Sequence, residues 1–473
     1  MSRQNDMVER YAELKCTPEQ IAEIEETFAR ADAAQREFEK WDQAAIDRTI
    51  QSVAQIVANS KTFHELVELG IQESAFGDPI SREAKRFKIR GILRDCLREK
   101  SVGIIEEIPE KRLVKYAKPV GVIACVIPAT NPDLTPAGNS IYAIKARNAI
   151  IFSPHPRTLK TSRKTIELMR EGLRRVGAPE DLIQILGYKA KINKGISEAL
   201  MTKCDLIIAT GGQGVVRRAY MSGTPAYAVG AGNATMIWDE TAAQDLNKAA
   251  FNTVRSKTSD FGSGCSADGN VVIHESIWDA ALKAMVTVGG YMLSPSEQDA
   301  MRKVMWDDEC HRLPDTVALS PQDMAKAAGF EIPEDRKFLI ASHGTGVFKP
   351  TLEGIWCHEK LTTLLAVHKY CGEFQNAIDT IMAIHDVGGI GHSVGIFSFD
   401  EDHIHRLASV ARVGRIMVRQ SQSKSNAGSM MNGMPMTSSI GCGTWAGNAT
   451  SENIHLHHYM NVTWVSKEYD KPD

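Results

Sequence analysis

From residue 149 to residue 229 short apolar runs alternate with helix-forming segments, and this alternation constrains the fold more than any other feature of the chain. Residues 149–153, 183–186, 206–209 and 226–229 read as strands. Residues 158–176, 194–202 and a stretch after Gly214 read as helices, the first with Ile166, Leu168, Met169 and Leu173 near one face. Strands that alternate with helices make βαβ units and therefore a parallel sheet. Such a sheet binds ligands at the carboxyl ends of its strands. Those ends carry Ser153-Pro154-His155-Pro156 and Thr210-Gly211-Gly212-Gln213-Gly214. The second loop suits a pyrophosphate, since its glycines admit close backbone approach and the next helix offers free N–H groups. Taken alone, a glycine-rich loop of this kind is more often only a turn.

Around this centre the composition changes. Residues 17–97 form a helical front section, with Ile21, Ile24, Phe28 and Ala31 at helical spacing. Residues 101–109, 112–118 and 121–126 are β-prone and are expected to extend from the body as strands. A second α/β region spans 234–420, with a helix-rich middle at 277–328. The tail at 428–447 is dense in Gly, Ser, Met and Asn, and 460–466 is an apolar strand whose simplest use is a subunit interface. The expected division is 1–110 with 128–233 as helical front and nucleotide-binding domain, 234–425 as catalytic domain, and 111–127 with 440–473 as a β oligomerisation extension. A length of 473 residues suits two to three domains. The net charge of −3 gives no electrostatic case for nucleic acid or membrane. Nine cysteines without a CxxC pair, and no leader-like segment, point to reduced thiols and a cytoplasmic setting.

One cysteine stands apart. Cys265 lies in Ser263-Gly264-Cys265-Ser266, where little bulk surrounds a thiol and the backbone can turn N–H groups toward a reacting oxygen. Arg255 and Lys257 upstream are expected to lower its pKa if the fold brings them close. Most free cysteines are merely small buried residues, and Cys125, Cys204, Cys310, Cys371 and Cys442 carry no supporting pattern.

The order of these pieces resembles the aldehyde dehydrogenase superfamily, in particular its CoA-acylating branch. The resemblance is carried by Ile127-Pro128-Ala129-Thr130-Asn131-Pro132, Ile151-Phe152-Ser153-Pro154-His155-Pro156, Ala228-Val229-Gly230-Ala231-Gly232-Asn233, the Cys265 loop with Ser256-Lys257-Thr258 ahead of it, and Glu359-Lys360-Leu361-Thr362. It implies an aldehyde dehydrogenase-like α/β fold with a Rossmann-type nucleotide-binding domain and homodimeric or homotetrameric assembly. It implies Cys265 as nucleophile and Asn131 as oxyanion donor, although Asn before Pro is also a common turn residue. NAD or NADP would be held by Pro128, Ser153, His155, Pro156, Arg157, Gly211, Gly212, Gly214, Gly230 and Glu359.

Two features refine the resemblance. Hydrolytic relatives place a glutamate in the segment where this chain has Val229-Gly230-Ala231-Gly232-Asn233, so release of the acyl group to coenzyme A is expected in place of hydrolysis. Gly391-His392-Ser393 resembles a motif of acylating members and makes His392 a candidate for proton transfer, or equally for a structural role. The tail resembles that of enzymes for short acidic aldehydes, with sulfoacetaldehyde favoured over succinate semialdehyde and acetaldehyde. Arg255, Lys257, Arg419 and Lys424 are the cations available for the acid group. Arg157 and Lys160, with no carboxylate beside them in sequence, favour NADP over NAD. His455, His457 and His458 lack a Cys or carboxylate at matching spacing, and neither they nor Cys357-His358 are expected to bind metal. A hydrolytic dehydrogenase, an acyl-phosphate reductase and a non-catalytic assembly subunit are the competing readings.

Overall fold

The computed structural model describes residues 3–469 apart from 76, 231 and 344–351. Six helices open the chain: α1 (Arg3–Glu13), α2 (Pro18–Phe38), α3 (Gln43–Ala58), α4 (Ser60–Ser74), α5 (Pro79–Glu83) and α6 (Arg86–Leu97). Side-chain caps fix their starts. The Thr17 hydroxyl accepts from the Gln20 N–H at 3.3 Å while the Gln20 carbonyl accepts from the Thr17 N–H at 3.0 Å, and Asp42 and Asn59 cap α3 and α4. Ile24, Phe38, Ile50, Val53, Phe63 and Leu66 face inward and share one core with the strands that follow.

Those elements are β1 (Ile104–Ile108), β2 (Leu113–Pro119), β3 (Val122–Val126), α7 (Leu134–Lys145), β4 (Ala149–Ser153), α8 (Leu159–Arg175), β5 (Ile183–Ile185), α9 (Lys194–Lys203), β6 (Leu206–Thr210), α10 (Gln213–Met221) and β7 (Ala226–Val229). Strands β3 to β7 form a parallel five-stranded sheet in the order β5-β4-β3-β6-β7. The order reverses direction at β3 and β6. Residues 128–131 follow β3 and the glycine-rich loop follows β6, so both meet at the topological switch point where doubly wound sheets bind nucleotides.

One expectation about this region is corrected. Residues 122–126 do not extend from the body with β1 and β2; they are the central strand of the five-stranded sheet. The side chains of Val122, Ile123, Ala124 and Cys125 are all buried, the signature of a strand covered on both faces, whereas β1 and β2 carry charged residues and remain partly exposed.

The second half comprises β8 (Thr235–Trp238), α11 (Leu246–Lys257), β9 (Asn270–His274), α12 (Trp278–Thr287), β10 (Gly290–Met292), α13 (Pro295–Met305), α14 (Pro321–Ala327), β11 (Phe338–His343), β12 (Leu364–Tyr370), α15 (Phe374–Gly388), β13 (Val394–Phe397), α16 (Glu401–Val410), β14 (Ile416–Val418), α17 (Gln422–Ser425) and β15 (Met460–Ser466). Strands β8 to β14 make a seven-stranded parallel sheet in the order β10-β11-β12-β9-β8-β13-β14. β15 pairs with β2 in a separate antiparallel sheet, β1-β2-β15, and is its outer strand. Only β15 belongs to that extension. The preceding residues 440–459 return to the body: Ile454, Leu456 and Tyr459 are buried in the first core, and the Tyr459 carbonyl accepts from Asn148 at 2.8 Å. No helix among the described residues is long and apolar enough to cross a membrane.

Candidate active site

The loop that carries Cys265 runs from the end of α11 into β9, and His392 stands just ahead of β13. β9 and β13 both flank β8 in parallel, so their amino-terminal ends lie side by side. That topology brings the two side chains together: His392 Nε2 is 3.2 Å from Cys265 Sγ. Gly232, ahead of β8, backs directly onto the thiol residue. A Cβ there would lie 2.3 Å from the Cys265 carbonyl oxygen and 2.6 Å from its Cβ, so only glycine fits.

The loop that leads to Cys265 is sharply bent. Asp260, Phe261 and Gly262 adopt φ of 51°, 49° and 69°, three consecutive residues in the left-handed region. Asp260 is anchored there from outside. Its Oδ1 accepts from Arg82 Nε at 3.0 Å and from the Asp78 N–H at 2.9 Å, and its Oδ2 accepts from Lys85 at 2.8 Å. Burial opposes ionisation of this carboxyl, but Lys85 and Arg82 outweigh it and bring its pKa down to about 2. Lys85 also donates to Asn131 Oδ1 at 2.8 Å and to the Thr130 carbonyl at 3.3 Å. Asn131 is thereby tied through one ammonium to the Cys265 loop, with its Oδ1 held by Lys85 and its Nδ2 donating to Thr130 Oγ1 at 3.4 Å.

The pair itself is neutral. Burial, followed by the Glu359 carboxylate and Cys442, pushes the Cys265 thiol up to about 12, while Ser266 and Arg415 pull it down. Burial, followed by Arg415 and His385, takes the His392 imidazole down to about 3. The upstream cations therefore do not depress the thiol as expected. Arg255 is exposed and lies over the Phe251 ring, 5.4 Å from its centroid, and Lys257 is buried with its ammonium lowered to about 7 by burial. The cation that acts on Cys265 is Arg415, which donates to the His392 carbonyl at 2.9 Å and to the Gly441 and Ser451 carbonyls. Sequence spacing had no means of finding it.

Glu359, raised to about 8 by burial, accepts from the Gly232 N–H at 3.0 Å and shares a small cavity of about 10 Å³ with Lys257, Gly262, Gly264 and Lys360. In the segment expected to lack a water-activating base, Ala231 lies outside the described residues. Asn233 is spent structurally: it donates to the Cys357 carbonyl at 2.9 Å and accepts from Asn270 at 3.2 Å.

Apart from Glu359, the residues expected to hold a nucleotide lie at the carboxyl ends of the strands of the five-stranded sheet. Gly212 is the N-cap of α10 and supplies no side-chain cap, and a Cβ at Gly212 would meet nothing within 4 Å. The first N–H groups of that helix are thus open to an anion, which fits a dinucleotide pyrophosphate. Gly211 and Gly214 flank it and Gly230 lies opposite, against Gln213. Pro128 follows β3. Ser153 is buried and bonded to Ser197 at 2.7 Å, His155 accepts from the Arg157 N–H at 3.1 Å ahead of Pro156, and Arg157 Nε donates to the Ser74 carbonyl at 2.9 Å. A carboxylate does reach this turn, although none is near it in sequence: Glu73, at the end of α4, accepts from the N–H groups of Lys160 and Thr161 at 2.7 and 2.8 Å.

Of the remaining expected cations, Arg419 donates to the Ser398 carbonyl and lies over Phe399, while Lys424 donates to Ser259 Oγ at 2.7 Å on the nucleophile loop. The histidines of the tail do meet a carboxylate. Glu452 joins His455, His457 and His458 with ligand atoms within 4.8 Å of one another. Yet the ring of His455 accepts from the His458 N–H and His458 Nδ1 accepts from the His455 N–H. A neutral ring that accepts at Nδ1 carries its proton on Nε2, so His458 is a donor there. His457 Nδ1 lies 2.9 Å from His455 Nε2, and His457 Nε2 lies 3.1 Å from Glu452 Oε2, which completes a chain of donors and acceptors.

The aldehyde dehydrogenase family model matches residues 12–290. The chain is 37% identical over 448 residues to a sulfoacetaldehyde dehydrogenase of Acholeplasma sp, covering 94% of this chain and 90% of that one. It is 38% identical over 449 residues to an acylating sulfoacetaldehyde dehydrogenase of Bilophila wadsworthia, covering 94% and 95%. The crystal structure of an acetylating aldehyde dehydrogenase from Geobacillus thermoglucosidasius superposes with a TM-score of 0.90 at 32% identity, covering 96% of this chain and 98% of the other. With its paired parallel sheets and a cysteine loop between them, the chain belongs to the aldehyde dehydrogenase family, among its acylating members.

Proposed function

We propose that this protein is a CoA-acylating aldehyde dehydrogenase for short anionic aldehydes, with sulfoacetaldehyde the favoured substrate. The observation that carries the reading is the Cys265–His392 contact at 3.2 Å beside a strand-entry segment whose polar side chain, Asn233, is occupied in structural bonds. Cys265 adds through sulfur to the aldehyde carbon, and the oxygen that becomes anionic is received by the Asn131 amide. Oxidation leaves a thioester on Cys265. The thiol of coenzyme A attacks that thioester, acyl-CoA departs and the Cys265 thiolate is regenerated. A nicotinamide dinucleotide, held by the α10 N-terminus, the 153–157 turn and Glu359, supplies the hydride acceptor when bound. His392 exchanges hydrogen bonds with the sulfur throughout. Lys424, the one expected cation fixed to the nucleophile loop, is assigned to the acid group of the substrate. The exposed strand β15, with Trp464 half-exposed, is assigned to subunit pairing in a homodimer or homotetramer.

A hydrolytic reading has one point in its favour, namely Glu359, a buried carboxyl whose charge acts on Cys265. The test separates the two. The purified protein is given sulfoacetaldehyde, succinate semialdehyde or acetaldehyde with NAD or NADP, with and without CoA, and products are identified by mass spectrometry. CoA-dependent formation of sulfoacetyl-CoA is expected. Equal rates without CoA and a free-acid product would transfer the role of base to Glu359 and end the acylating reading.

A further inference from the structure

His392 Nε2 points at the sulfur, and what its other nitrogen meets decides whether it gives or takes a hydrogen there. Nδ1 lies 2.9 Å from Ser393 Oγ, and Ser393 Oγ accepts from Asn426 Nδ2 at 2.8 Å. All three side chains are buried, with relative exposures of 2%, 1% and 0%. A serine hydroxyl has one hydrogen. With the Asn426 amide already donating to its oxygen, the partner left for that hydrogen in this triad is His392 Nδ1, which then accepts. A neutral imidazole that accepts at Nδ1 carries its hydrogen on Nε2. The Asn426 main chain is fixed, because its backbone carbonyl accepts from Asn453 at 3.0 Å and its backbone N–H donates to the Gln422 carbonyl, while its side-chain Oδ1 is buried without a hydrogen-bond partner.

We propose that Ser393 and Asn426 are positioning residues that hold His392 in the Nε2–H form, so that His392 donates a hydrogen bond to the Cys265 sulfur and stabilises it as a thiolate. This rests on Cys265 being the nucleophile. It assigns His392 a direction: the imidazole favours thiolate both as attacking group and as leaving group, and the thiol proton itself goes to solvent. The charged and titratable groups facing the pair are Glu359 ahead of β12, Cys442 of the tail, Arg415 ahead of β14 and His385 of α15. None of them is altered by the substitutions below.

The test uses the full chain and needs no turnover. Iodoacetamide alkylation of Cys265 is followed by peptide mass spectrometry across pH in wild type, Ser393→Ala, Ser393→Thr and Asn426→Asp. Ser393→Ala should move the inflection up by about one pH unit, and Ser393→Thr, which keeps the hydroxyl, should restore it. In Asn426→Asp the carboxylate claims the serine hydrogen, the serine oxygen can then only accept from Nδ1, and the inflection should rise as in Ser393→Ala. A wild-type profile in Ser393→Ala would remove the positioning role. A wild-type profile in Asn426→Asp would mean that the amide already accepts from Ser393, and the direction would be reversed. Failure of the acylating reading appears separately, as absent acyl-CoA from wild-type protein.

Discussion

Two buried polar groups border the same loop and are built on opposite plans. Around Asp260 charge is matched: Arg82 and Lys85 converge on one carboxylate, with side-chain exposures of 0%, 16% and 6% for Arg82, Lys85 and Asp260. Around Cys265 no side-chain ion pair forms: a neutral thiol faces a neutral imidazole whose Nδ1 meets an uncharged hydroxyl, and Arg415 acts on the pair from its bonds to backbone carbonyls. The first plan gives rigidity, since a paired carboxylate in a dry site has one geometry that satisfies it. The second leaves the sulfur free to change its charge during a reaction. The bent backbone at 260–262 connects them, so the ionic cluster holds the strained loop and the neutral pair uses the position so held.

The comparison is broken most completely at the sulfur. Cys265→Ala should abolish CoA-dependent turnover, with a loss of at least about 10⁴-fold in kcat, yet leave the Tm close to that of wild type, because the thiol carries no ion pair. Residual turnover within tenfold of wild type would remove Cys265 from the mechanism. The ionic side should respond the other way round. Asp260→Ala leaves the buried Arg82 and the partly buried Lys85 facing each other without a counter-charge, and a loss of about 3 kcal/mol in unfolding free energy by chemical denaturation is expected. A change under about 1 kcal/mol would show that the cluster is decoration. Asn131 belongs to both regions through Lys85, and Asn131→Ala should cost about 2.7–4 kcal/mol in transition-state stabilisation with little change in Tm. A fall in Tm equal to that of Asp260→Ala would make Asn131 part of the scaffold only.

The same contrast explains what could be read from the sequence. The doubly wound half was legible because β4 and β6 are short apolar runs between amphipathic helices, a pattern that few folds share. Cys265 and His392, which the structure brings to 3.2 Å of each other, could be singled out through their motifs, as could Asn131. β3 was misplaced because five β-prone residues look alike in an extension and in a sheet centre, and only the unbroken apolar run Val-Ile-Ala-Cys-Val separated it from the charged β1 and β2. The ionic partners were not legible at all. Arg82, Lys85, Glu73 and Arg415 reach their targets from helices and strands far away in sequence, and a charged residue on a helix looks the same whether it faces solvent or a buried carboxylate. The expectation that Arg255 and Lys257 serve the thiol failed for that reason, since proximity along the chain says nothing of which side of α11 a side chain leaves.

The smallest effect is also the sharpest discriminator between the two plans, because it is read from wild-type protein. The Asp260 carboxyl has a folded pKa of about 2 against an ordinary value of 3.8. A depressed carboxyl contributes stability that is fully present above its unfolded pKa and is lost as pH falls through the folded one. Between about pH 5 and pH 2 the unfolding free energy should therefore drop by about 2 kcal/mol from this group. The same titration on Asp260→Ala should be flatter by that amount, and an equal slope in the two proteins would place the acid sensitivity elsewhere. Cys265→Ala titrated alongside should follow wild type, since the thiol, at about 12, does not titrate in this window. The imidazole works in the same sense over a higher window: its folded value of about 3 means that the unfolded chain takes up the proton first, between about pH 6.5 and 3, and wild type, Asp260→Ala and Cys265→Ala should share that decline equally. The difference between Asp260→Ala and Cys265→Ala thus isolates the ionic cluster from the neutral pair within one experiment.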